Sequence, residues 1–354
     1  MRYESLFIAG LGAYLPKTVP VEDAIAQGRY DREDQDSSGL TSIAVAGPDD
    51  SQPGMAAAAG RVALARSGYH GTDVSLLLHA VTAYNGLDGW NAGCYLQQEV
   101  LGGSGLSFEI RQLSNGAVAS IELAAAYLAA SPGSNAAAEG TGQCNAAMIT
   151  AADKFAEPAW DRWRTSWGLV YADGASAAVI SRKSGFARVL SAVTVTDPGL
   201  EGLHRGSLPF GSCPDAGDYP IDFRARALDF SQAVDIAAAT GRISAGLRTA
   251  VVTAATEAGL KVDEADHYIV PSFGRELLRQ QCLDVLGIGI ERSTWSWGAA
   301  IGHMGAADQF ASLTYLSEAG RLNPGDRALI IGIGGGFNWT CVVLDIVDHP
   351  AWAY

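Results

Sequence analysis

Little in this chain suits it to hold a metal, a disulfide framework, a nucleic acid or a bilayer. Its five cysteines, Cys94, Cys144, Cys213, Cys282 and Cys341, stand singly among 354 residues, with no pair at metal-ligand spacing. That scatter argues against a zinc motif and a disulfide scaffold, and fits a reduced cytoplasmic compartment. Cationic residues are outnumbered, 24 against 38 acidic, leaving a formal charge of -14. A surface of that sign does not neutralise a row of phosphates, which argues against sequence-independent nucleic-acid binding. No apolar run reaches the roughly 20 residues that cross a bilayer. The first, residues 6–14, is broken by Gly10 and Gly12 and lacks the cationic start of a secretory signal.

What is present is a chain 48% hydrophobic and 18% charged, too long for one ordinary core. Its punctuation reads as alternating strands and helices. Strands are expected at residues 6–9, 74–81, 106–110, 146–151 and 177–181, with alanine-rich helices at 55–68 and 116–130 and another helix at 95–101. The polar stretch 27–52 reads as an exposed loop or flap, and 131–143, rich in Gly, Ser, Ala and Asn, as an insertion. A second series follows: strands at 187–195, 268–270, 327–333 and 340–346, helices at 231–259, 276–286 and 307–320, and a loop at 198–220. Two halves, 1–183 and 184–354, are alike in order though not in sequence. Parallel strands with helical crossovers in both give a five-layered α-β-α-β-α architecture.

Three separated stretches carry chemistry: Leu113-Ser114-Asn115-Gly116, the turn from Gly302 through His303 to Asp308, and Gly334-Gly335-Gly336-Phe337. Together they supply a nucleophile, a base with an orienting carboxylate and a glycine loop, the components of acyl transfer. Ser114 follows a strand and precedes a helix, where unpaired N–H groups favour developing negative charge. A serine there is more commonly a helix cap; the two later motifs favour the nucleophile. Serine must lose its proton to a neighbouring base as it attacks. Asp308, five residues after His303, is positioned to accept from the far imidazole nitrogen. Among six histidines, His70, His79, His267 and His349 lack partner motifs and read as structural or surface, whereas His204 lies on a loop able to line a pocket.

The order and spacing of these motifs resemble the β-ketoacyl-acyl carrier protein synthase III family, which has the thiolase fold, and the resemblance spans nearly the whole chain. It implies that Ser114 fills a slot normally held by cysteine. It implies too that N–H groups of Ser114 and Gly335 hold the oxyanion, with Phe337 beside the substrate. The family's histidine follows a Val-Pro strand end; here Val270-Pro271 leads to Ser272, which the resemblance sets in the histidine's place beside the substrate. The family's asparagine position aligns with His303, and Asp161-Arg162-Trp163-Arg164 resembles the segment offering arginine to coenzyme A, through Arg162 or Arg164. Arg242, Arg248, Arg275 and Arg279 are candidates for a local basic patch facing an acidic carrier protein.

The serine variant resembles anthracycline starter-unit enzymes and synthase-III-like acyltransferases of polyketide pathways. Losing one of two enolate-stabilising donors disfavours malonyl decarboxylation. The expectation is therefore an acyltransferase of specialised, antibiotic-type metabolism, moving an acyl group from acyl-CoA or an acyl carrier protein through acyl-Ser114 to a hydroxyl or amine. The alternatives are a starter-unit synthase condensing with malonyl carrier protein, and a catalytically inactive thiolase-fold partner. No metal or cofactor beyond the thioester substrate is expected, nor a nucleic-acid or membrane partner. The fold implies a homodimer.

Overall fold

The computed structural model describes residues 1–130, 145–211 and 219–353. The described residues form eleven strands: β1 Phe7–Tyr14, β2 Thr18–Pro20, β3 Ser42–Ala44, β4 Val74–Ala80, β5 Leu106–Ile110, β6 Ala146–Asp153, β7 Gly174–Ser181, β8 Ala187–Thr196, β9 His267–Ile269, β10 Arg327–Gly334 and β11 Asn338–Ile346. Nine of them hydrogen-bond in the order β5-β4-β6-β7-β1-β8-β11-β10-β9. The ladder narrows at its centre. β1 and β8 share only Phe7↔Arg188 and Ile8↔Ala187, so two sheets meet at a short seam.

The two sheets repeat one pattern. In the first, β4 runs parallel to β6, which is antiparallel to β7, itself antiparallel to β1. In the second, β9, β10, β11 and β8 repeat that order and those directions. The counterpart of β5 is reduced to a single parallel bridge, Tyr268↔Ser293.

Helices complete five layers. Gln52–Ser67 covers the outer face of the first sheet and Ile236–Glu257 that of the second, while Gly116–Ala130 and Asp308–Glu318 lie between the sheets. This is the thiolase fold. Every residue of β6 and β7 is buried, as expected of strands covered on both faces. Small side chains let the layers close: a β-carbon at Gly10 or Gly12 would overlap backbone atoms of the helix Gln52–Ser67. The segment Leu113–Ala130, by length and hydropathy the one described stretch able to cross a membrane, holds the central helix, with half of it buried inside the fold.

Three sequence expectations are corrected. The stretch 27–52 is not a bare flap: it holds the helix Arg32–Ser38 and β3, which pairs with β2. The expected helix 231–259 is two, Phe223–Ala233 and Ile236–Glu257, because Val234 is extended and Asp235 caps the second, accepting from the N–H groups of Ala237 and Ala238. The loop 198–220 contains a short helix, Gly202–Arg205. The insertion at 131–143 lies outside the described residues, as do 212–218 of that loop.

Candidate active site

Corresponding places in the two halves carry the reactive groups. Ser114 enters the central helix that precedes β6, and His303 lies just before the central helix that precedes β10. The chain turns into Ser114 through Leu113, whose φ of 46° is in the left-handed region. For a leucine this costs about 1–3 kcal/mol and persists only where surroundings enforce it. Asn115 enforces it: buried behind Ser114, it donates from Nδ2 to Asn338 Oδ1 and, at 2.8 Å, to Thr340 Oγ1, tying the turn to β11.

His303 is fixed through its backbone, donating to Val170 O at 3.0 Å and accepting from the Ala172 N–H at 2.8 Å. Its ring is edge-on to Phe273 at 5.2 Å. Nε2 lies 2.8 Å from Ser114 Oγ, and Nδ1 lies 2.6 Å from Asp308 Oδ2. Fully buried Asp308 also accepts from the N–H of Ser272 at 2.8 Å and of Met304 at 2.7 Å. Three donors hold the carboxylate in place of water. With Asp308 accepting at Nδ1–H, the Nε2 lone pair faces the hydroxyl, the tautomer a general base needs.

Ser114 and His303 open onto a cavity of about 510 Å³ with an aromatic wall that includes Trp160, Tyr171, Phe223, Phe273 and Phe337. Gly334 and Gly335 close it beside the nucleophile: a β-carbon at Gly334 would fall 2.7 Å from Gln112 O, and one at Gly335 2.8 Å from Leu113 Cδ1. Among the described residues, neither the Ser114 N–H nor the Gly335 N–H has a backbone acceptor, so both remain available to a substrate oxygen.

His204 and Phe337 line this cavity, with their ring centroids 5.4 Å apart. Three other expected substrate contacts do not. Arg162 pairs with the buried carboxylate of Asp173, at 3.2 and 3.1 Å, and exposed Arg164 reaches Gly28 O at 2.9 Å. Ser272 is buried with its Oγ unpartnered and pressed against Gly298; it serves the site through its backbone N–H. The expected basic patch is largely neutralised. Arg242 pairs with Asp197, Arg275 with Glu276, and Arg279 with Glu276 and Asp284. The arginines that do line the cavity, Arg111, Arg224 and Arg226, carried no motif. For Arg111 a signal existed, since it stands three residues before Ser114 at the end of a strand.

No described cysteine lines the cavity. Burial pushes the Cys282 thiol up to about 12 and the Cys341 thiol higher still, so neither is nucleophilic at neutral pH.

Comparison with known proteins identifies the fold and the family. Residues 255–346 match the family model for the C-terminal part of 3-oxoacyl-[acyl-carrier-protein (ACP)] synthase III. The β-ketoacyl-[acyl-carrier-protein] synthase III of Rhizobium meliloti (strain 1021) is 26% identical over 350 residues, covering 95% of this chain and 98% of its own length. Among solved structures, the priming β-ketosynthase of the R1128 polyketide pathway superposes with a TM-score of 0.74 at 19% identity, covering 99% of this chain and 98% of that one. ChlB3, an acyltransferase, superposes with a TM-score of 0.91 at 35% identity, covering 99% and 100%. Identity of that order sustained from end to end, on a thiolase fold, makes this chain a member of the β-ketoacyl-acyl carrier protein synthase III-like family.

Proposed function

We propose that the protein is an acyltransferase of polyketide-type metabolism, moving an acyl group from a coenzyme A or carrier-protein thioester through acyl-Ser114 to a hydroxyl or amine. The observation that carries this reading is the chain Ser114–His303–Asp308, with links of 2.8 and 2.6 Å at the mouth of an apolar cavity. His303 takes the serine proton as Oγ attacks the thioester carbon, and the Ser114 and Gly335 N–H groups hold the oxyanion. Collapse expels the thiolate, which takes that proton from His303. The neutral imidazole then deprotonates the acceptor as it attacks the acyl-serine, and returns the proton to Ser114.

Transfer to a hydroxyl or amine is favoured over condensation because Ser272, at the position the resemblance assigns to the family's histidine, is buried and presents no side-chain donor to the cavity. The 35% identity to ChlB3, itself an acyltransferase, supports the same reading. A homodimer built along the open edge of β5, in a reduced cytoplasm, completes it.

Incubation with acyl-CoA and acyl carrier protein donors, read by intact mass and peptide mapping, is expected to place the acyl group on Ser114 and none on Ser114→Ala. The acylated protein is then divided between malonyl carrier protein and hydroxylated or aminated polyketide acceptors, following carbon dioxide and product mass. A β-ketoacyl product at the rate of acyl-serine turnover would make it a starter synthase instead. An unmodified Ser114 with every donor would leave an inactive partner protein.

A further inference from the structure

His204 is the one imidazole at the site that the mechanism above does not use. It sits in the four-residue helix Gly202–Arg205 and lines the same cavity as Ser114 and His303. Its ring is edge-on to Phe223 at 4.8 Å and tilted against Phe337 at 5.4 Å, so its orientation is set by packing. The ring edge rests on the oxyanion loop. A β-carbon at Gly335 would fall 2.8 Å from His204 Cε1 and 2.9 Å from Nε2, with Leu113 Cδ1 2.8 Å from the same point. Only glycine at 335 lets the imidazole reach the backbone next to the nucleophile.

Its two nitrogens are unequal. Nδ1 is sealed from solvent with no partner, whereas Nε2 is the edge beside Gly335 that faces the cavity. Desolvation, helped by the Arg226 guanidinium, lowers the ring to about 4, so it carries one proton at neutral pH. An orphaned buried N–H is rarer than an orphaned lone pair. The proton therefore belongs on Nε2, and the ring offers a fixed neutral donor to whatever occupies the space beside Gly335.

We propose that His204 is a catalytic donor whose Nε2–H, with the N–H groups of Ser114 and Gly335, stabilises the oxyanion formed when Ser114 attacks the acyl thioester. The proposal rests on the acyl-serine reading above. In this step the carbonyl π pair moves to oxygen, His204 donates without losing its proton, and His303 alone carries the serine proton to the departing thiolate. Removing one such donor typically costs roughly 100- to 1,000-fold in rate.

The test compares wild type, His204→Ala and His204→Gln in single-turnover acylation by acyl-CoA and in labelling by a fluorophosphonate, which needs an activated Ser114 and an oxyanion site but no thioester. His204→Ala should slow both reactions roughly 100-fold or more at unchanged melting temperature, and His204→Gln, a neutral donor, should recover a large part of the loss. Above pH 5 the acylation rate should show no ionisation that disappears in His204→Gln. Wild-type rates in His204→Ala would overturn the proposal while leaving acyl-Ser114 intact, and so would equal losses in the Ala and Gln variants. Labelling by the fluorophosphonate, slowed in His204→Ala, with no acylation by any thioester, would support the donor and remove the acyltransferase reading instead.

Discussion

Asp308 Oδ2 accepts from His303 Nδ1 at 2.6 Å, although the two residues belong to different structural units: His303 is bridged to Tyr171, whereas Asp308 opens the helix Asp308–Glu318. Gly302 (φ 82°), just before His303, and Gly305 (φ 59°), between the pair, both adopt the left-handed conformation, and the N–H groups of Met304 and Ser272 complete the carboxylate's set of donors. Asp308→Asn keeps the shape but places an amide where two backbone donors point, and favours the imidazole tautomer with Nδ1 unprotonated. Acyl-serine formation is expected to fall roughly 1,000- to 10,000-fold. Single-turnover mass spectrometry measures this, and a loss under tenfold would remove Asp308 from the mechanism.

The fold was legible because its long elements are strongly patterned. The wholly buried strands β6 and β7 and the alanine-rich helix Gly116–Ala130 read correctly from composition alone. The geometry of Ser114, His303 and Asp308 was legible too, since glycine turns flank them. What failed was side-chain destination. Arg162 and Arg164 were expected, from the resemblance, to face coenzyme A, yet a buried carboxylate, Asp173, draws Arg162 inward. Nothing local records that, because Asp173 lies 11 residues away on another segment. Arg224 and Arg226 reach the cavity from the first turn of the helix Phe223–Ala233, most of which fell between the expected loop 198–220 and the expected helix 231–259.

Buried ionisable groups set how stability responds to acid. His79, wholly buried and 3.0 Å from Thr150 Oγ1, is lowered by desolvation from 6.5 to about 4, as is His204. In that window the unfolded chain takes the proton and the native chain refuses it. Stability is therefore full above about pH 6.5 and falls toward pH 4 by about 1.4 kcal/mol per pH unit for each ring. Asp153 opposes this: desolvation raises it from 3.8 to about 6, so the native state binds its proton first and gains stability as pH falls below 6. The two histidines outweigh the one carboxylate. His79→Asn should lower the pH slope of the unfolding free energy between pH 6.5 and 4 by about 1.4 kcal/mol per unit. Denaturant midpoints at pH 7, 5.5 and 4.5 test it, and an unchanged slope would contradict it.

β5 ends the sheet with an open row of backbone donors and acceptors, and its Leu106 and Phe108 are about half exposed, at 49% and 50%. An uncovered apolar edge of this kind is a pairing surface. The proposed homodimer continues the sheet there, so light scattering at micromolar concentration should return twice the 36.9 kDa chain mass. Phe108→Lys should shift it to the monomer. A wild-type monomer would remove the dimer from the reading.

The resemblance sets Ser272 at the family's histidine position, which suggests testing the preference by Ser272→His. The surroundings forbid it. Ser272 is 2% exposed, its Oγ lies 2.9 Å from where a β-carbon on Gly298 would sit, and its N–H holds Asp308. An imidazole there must displace the segment carrying Gly298 or rotate the backbone that donates to Asp308. Overpacking of this kind costs about 1–3 kcal/mol, and any backbone shift loosens the carboxylate that orients His303. Ser272→His is therefore expected to lower the denaturation midpoint and slow acylation of Ser114, with no gain in carbon dioxide release from malonyl carrier protein. Release of carbon dioxide above wild type at undiminished stability would mean that residue 272 can turn into the cavity, and that the preference for hydroxyl or amine acceptors depends on this one side chain.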